Sequence, residues 1–152
     1  MPKDLFGKLV LYDFENDPLD QQFKDSLKDF SEEFEVVEAK GDYEGQLTKD
    51  KLDSAEALVT RIFDYYSWEI FQKSDIEYIG MMATDISDFE GIFQDQNVEI
   101  RPAKTYARES VAELADLDNV LLTSHSGCAT FEARKRLKEE TLENLKDYLS
   151  TR

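Results

Sequence analysis

Five short apolar runs, "KLVLYDF", "FEVVEA", "AEALVTRIF", "IEYIGMM" and "VEIRP", are spaced through the first two thirds of the chain. The strands are expected at residues 9–12, 34–39, 57–61, 76–82 and 98–102. A short run with little polar alternation reads as a strand covered on both faces. The stretches between them carry a different period. In "ENDPLDQQFKDSLKDF", Leu19, Phe23, Leu27 and Phe30 recur at intervals of four, four and three, which marks one face of a helix. Asp17 is the expected N-cap, with Pro18 at the first helical position. Short helices are expected at 48–52, around Trp68 and Phe71, in "ISDFEGIFQ" and in "ARESVAELA". The chain then offers one more apolar run, "NVLLT" at 119–123, and a helix over 131–149. That helix has Leu137, Leu142, Leu145 and Leu149 on a shared face and Thr130 as its N-cap.

Strands alternating with amphipathic helices predict a mostly parallel sheet covered on both sides. The expected fold is a flavodoxin-like, three-layer open α/β sheet of five strands, with residues 119–123 added as a sixth. Its 152 residues suit one domain. In such sheets ligands gather outside the carboxyl ends of the strands. Those ends include "YDFEND", "TRIFDYY", "MMATDISD", "RPAKTY" and "TSHSG", which places His125 on the ligand side.

Charge narrows the partners. Thirty-four acidic against eighteen basic residues give a net charge of −16, which repels nucleic acid and anionic membrane surfaces. The charges are dispersed, as on a solvated surface. No apolar run approaches a membrane span and the start lacks the order of a signal peptide, so a cytoplasmic setting is expected. One cysteine, Cys128, and one histidine, His125, cannot close a structural zinc site, and no metal site is expected.

A dinucleotide site would show G-x-G-x-x-G between a strand and a helix. The six glycines stand at 7, 41, 45, 80, 91 and 127, and no two are separated by a single residue. A P-loop is absent too. A phosphoreceiver domain shares the expected fold, and Asp13, Thr84 and Lys104 fit its acidic, hydroxyl and lysine positions loosely. Its acceptor aspartate has no counterpart, because the third strand ends with Thr60 and Arg61. Ser124, Ser126 and Cys128 flank His125, but no oxyanion motif or orienting acid accompanies them. His125 has the near-neutral pKa that proton transfer needs. By position alone, a single loop histidine is more often a solvated or capping residue than a catalyst.

"NVLLTSHSGCATFEA", residues 119–133, resembles the C-terminal motif of the NAD-dependent D-2-hydroxyacid dehydrogenases, a strand followed by T-P-H-x-G and a run of small residues leading into a long helix. "LVTRIFDYYSWEIFQKSDIEYIGMMATDISDFE" resembles that family's third strand to fourth-strand loop, and "TYARESVAEL" the Tyr-x-x-x-Ser-Val-Ala-Glu start of its interdomain helix. The match runs in order through most of the chain. The resemblance implies that His125 is the acid/base residue and that Arg61, Ala83, Thr84, Asp85 and Tyr106 lie in the substrate-binding segments. Asp85 stands where the family has glycine, and Ser124 where it has the proline before the histidine.

That family builds a flavodoxin-like substrate domain from both chain ends and inserts a Rossmann domain between the Ser-Val-Ala-Glu helix and the strand before the histidine. Here only residues 114–118 separate Glu113 from Asn119. A single βαβ unit needs about 30 residues. The resemblance therefore implies a substrate domain made of residues 1–113 and 119–152 joined at 114–118, with the NAD domain excised, by engineering on the abruptness of the join. With it go the family's catalytic arginine and the glutamate that pairs with the histidine. The expectation is an inactive monomer holding no cofactor, with NAD belonging to the full-length family. It would take a small 2-hydroxy or 2-keto acid only if the substrate loop survives. The rival reading is a stand-alone flavodoxin-like binding or receiver-like signalling module; a third is a small enzyme that recruits His125 to other chemistry.

Overall fold

The computed structural model describes residues 4–41, 46–60, 74–82, 99–102 and 131–152. In chain order the described elements are β1 (Phe6–Phe14), α1 (Gln21–Lys28), β2 (Ser31–Ala39), a turn of 3-10 helix (Asp50–Leu52), β3 (Ala57–Thr60), β4 (Tyr78–Met81), β5 (Glu99–Pro102) and α2 (Phe131–Thr151). The strands form one parallel sheet in the order β2-β1-β3-β4-β5. This is the flavodoxin-like open sheet expected from the strand and helix alternation, and all five expected strands are present. The sixth, at 119–123, falls outside the described residues, as do the short helices expected around Trp68, in "ISDFEGIFQ" and in "ARESVAELA".

The pleat divides the core into two layers. On one face Leu9, Leu11, Ala57, Val59, Tyr78 and Met82 pack with Leu19, Phe23 and Leu27 of the α1 segment and with Leu145 and Leu149 of α2. On the other face Val10, Tyr12, Phe14, Leu58, Ile79 and Met81 pack with Leu47, Leu52, Ala55 and Ile76. Neighbouring residues point to opposite faces, so a strand buried on both sides must be apolar at successive positions. β1, β3 and β4 meet that requirement. β2 lies at the edge and does not: Glu32, Glu33, Glu35 and Glu38 are exposed along it. Charges on an edge strand discourage pairing with another chain.

One expected helix start moves. The N-cap of α1 is Asp20, not Asp17: Asp20 is extended (ψ 156°) and its carboxylate accepts from the Phe23 amide at 2.8 Å. The cause is Asp13, whose carboxylate accepts from the Leu19 amide at 3.1 and 3.2 Å. A residue held that way, just after a proline that disfavours helix at Asp17, keeps the chain outside the helix until Asp20. The short helix expected at 48–52 is a single 3-10 turn. The C-terminal helix runs two residues further than expected, to Thr151. Its expected cap, Thr130, lies outside the described residues.

Candidate functional site

In this strand order the chain passes from β1 to β2 on one side and to β3 on the other, so the topological switch lies between β1 and β3. The crevice outside the carboxyl ends of those strands is where open parallel sheets bind ligands. β1 ends there with Asp13 and Phe14, β3 with Thr60, and β4 with Met81 followed by Met82.

Asp13 is fully buried. Besides Leu19, it accepts from the amide of Phe14 at 2.9 Å, and it pairs with the Lys24 ammonium at 2.9 Å. Lys24 belongs to α1, so one carboxylate ties the end of β1, the loop after it and the first turns of the helix. Further pins act on that loop: Glu15 N–H donates to Ala39 O at 2.9 Å and Asp17 N–H to Phe14 O at 3.3 Å. A buried carboxylate survives only when paired and hydrogen-bonded. Here those conditions make Asp13 a structural fastener.

The opposite wall comes from α2, whose first half reaches this edge. Arg134 pairs with Asp17 at 3.2 Å, and Lys138 pairs with Asp20. The Lys138 hydrogen bond, with the Phe23 amide after it, holds the Asp20 carboxyl below its ordinary value. Between loop and helix lies a small cleft lined by Asp17, Pro18, Leu19, Met82, Arg134, Leu137 and Lys138. Its floor is apolar and its rim carries both signs of charge. Among the described residues no group of three or more His, Cys, Asp or Glu side chains could hold a metal ion.

The six residues expected to carry chemistry, Arg61, Ala83, Thr84, Asp85, Tyr106 and His125, lie outside the described residues, and so do Lys104 and Cys128. The structure describes what frames them: Thr60 immediately precedes Arg61, Met82 precedes Ala83, and α2 begins six residues after His125. Two described features bear on the receiver reading. Asp13, its acidic candidate, is engaged by Lys24 and Leu19, and the described end of β3 is the buried hydroxyl residue Thr60. Sequence reasoning missed Lys24, Arg134 and Lys138. The i,i+4 spacing of the last two was visible, but their acidic partners lie 117 and 118 residues away.

An open parallel sheet with a switch-point crevice defines a class of ligand-binding α/β domain. Within it, residues 10–152 match the family described as D-isomer specific 2-hydroxyacid dehydrogenase, catalytic domain. The chain belongs to that family. Among solved structures it is similar to the apo form of D-lactate dehydrogenase from Escherichia coli, with 17% identity and a TM-score of 0.44 over 66% of this chain and 32% of that one. It is also similar to an acyclic imino acid reductase solved with NADPH and D-Arg, with 14% identity and a TM-score of 0.48 over 62% and 30%. The chain spans about a third of the length of these two proteins. No curated protein matches it. Among the described residues no helix is long and apolar enough to cross a membrane.

Proposed function

We propose that this chain is the substrate half of a D-2-hydroxyacid dehydrogenase-like oxidoreductase with its NAD domain excised between Glu113 and Asn119, as an engineered deletion would leave it, and that it has no dehydrogenase activity of its own. The observation that carries this reading is the family match over 10–152 in a chain with only five residues, 114–118, where a Rossmann domain would be inserted. Hydride transfer is the cofactor's chemistry. His125 occupies the family's acid/base position, and it would protonate a keto oxygen only if a hydride donor stood opposite. Arg61, Ala83, Thr84, Asp85 and Tyr106 would supply the substrate wall, with Asp85 placing a negative charge near an incoming carboxylate.

NADH titration with a panel of small 2-keto acids is the direct test. No turnover and no cofactor binding are expected; micromolar NADH affinity or measurable oxidation overturns the reading. Acetyl phosphate followed by intact mass should show no added phosphoryl group, and an adduct would establish the receiver alternative. A parental gene encoding a Rossmann domain between Leu114 and Asp118 would identify the deletion. Light scattering should report a monomer.

A further inference from the structure

The two halves of α2 are attached by different physics. From Thr141 onward the helix is seated in the core: Thr141, Leu145 and Leu149 are buried. Tyr148 stacks on Phe6 with ring centroids 5.8 Å apart and lies 4.7 Å from Tyr78. Asp147 receives Arg101 at 2.7 Å. Beyond the helix, Arg152 reaches Glu77 at 2.8 Å and Glu56 at 3.3 Å. From Phe131 to Glu140 no residue is buried, and Phe131 is 78% exposed. In that half two ion pairs, Arg134 to Asp17 and Lys138 to Asp20, reach the β1–α1 loop and the N-cap of α1, with the half-buried Leu137 over the cleft. The halves meet at Thr141, whose hydroxyl donates to the Leu137 carbonyl at 2.7 Å. Such back-bonding competes with the helix's own ladder and often marks a bend.

We propose that the first half of α2 is an electrostatic strap: it closes the cleft at the ligand edge while its two ion pairs hold, and it opens about Thr141 when they are screened, with the second half staying seated. Exposed ion pairs are weak and salt-sensitive. Leu145 and Leu149 are held by burial, which salt does not weaken. Opening would uncover Leu19, Met82 and Leu137, and it would move the end of the helix that follows the His125 segment.

Hydrogen exchange of the whole chain tests this, read separately for amides 135–140 and 145–150. Making Arg134→Gln with Lys138→Gln should speed exchange in the first group between about twofold and about thirtyfold, the span set by two exposed ion pairs, and leave the second unchanged. Raising NaCl from 0.05 to 1 M, which also screens Arg101 to Asp147 and Arg152 to Glu77, should speed the first group more than the second. Lys135→Gln removes a charge from the same half and breaks only its pair with Glu139 within the helix, 3.9 Å, without touching the loop, and should have a clearly smaller effect. Equal acceleration of both groups, or none in the first, overturns the proposal. So does an equal response to Lys135→Gln, which would make the change one of helix propensity.

Discussion

The carboxylate of Asp13 and the ammonium of Lys24 lie 2.9 Å apart, with Asp13 fully buried and the Lys24 side chain 16% exposed. Removing one partner of such a pair leaves a charge without compensation, and breaking buried pairs costs about 3–5 kcal/mol. Asp13→Ala also orphans the Leu19 amide. We expect a loss of about 3 kcal/mol by urea unfolding, and partial recovery in Asp13→Asn combined with Lys24→Met. A loss below about 1 kcal/mol would show that the pair does not fasten α1.

Tyr78 offers the opposite case. Its hydroxyl is buried and has no hydrogen-bond partner among the described residues, and burial raises its phenol well above the ordinary tyrosine range, so it stays neutral. The ring lies over Gly80, where a Cβ would meet Tyr78 Cε1 at 3.3 Å. Tyr78→Phe removes an unsatisfied polar group while keeping the ring. It should leave stability unchanged or raise it by about 1 kcal/mol, whereas Gly80→Ala should lower it by crowding that ring. Thermal melts of the two variants separate these signs.

Leu145 and Leu137 share a helix and differ in seat. Leu145→Ala empties a fully buried site and should cost about 2–5 kcal/mol. Leu137→Ala, at a half-buried position on the cleft, should cost less than half as much. Equal losses in urea unfolding would contradict the division of α2 at Thr141.

Two carboxylates give opposite pH signatures. Burial raises the Glu77 carboxyl above its ordinary 4.5, against the nearby Arg152, so its ionised form is disfavoured by folding. That cost is present in full above the raised value and vanishes below the ordinary one. The melting temperature of Glu77→Gln relative to the native chain should therefore fall as pH drops from 7 to 4. Asp20 is held below its ordinary 3.8 by Lys138, so its contribution is present above 3.8 and is lost only as pH falls through its lower folded value. Lys138→Gln should leave the difference between pH 7 and 5 unaltered and change the curve only at stronger acid.

The strands were legible because β1, β3 and β4 are buried on both faces and must be apolar in succession, as "LVLY", "ALVT" and "YIGM" are. The start of α1 was not. Asp17 and Asp20 both satisfy the grammar of a cap, and the choice is made by Asp13, which takes the Leu19 amide from outside the local window. The cleft was illegible for the same reason: Arg134 and Asp17 meet only once the fold has brought α2 against β4 and α1. The residues that carry the family resemblance, His125 foremost, were found by motif, and their segments lie outside the described residues.

Arg152 donates to the backbone carbonyl of Leu5 at 3.2 Å and lies over the Phe6 ring at 5.4 Å, so the entry to β1 and the exit from α2 are clasped together. A body clasped in that way is a host. Sequence grafted between β5 and α2 would be a guest at one rim, able to lengthen, shorten or be exchanged while the clasp endures. The same geometry makes a covalent bridge from Arg152 to the start of β1 short, so a circularly permuted chain opened at the exposed Gly41 should keep the order β2-β1-β3-β4-β5 intact.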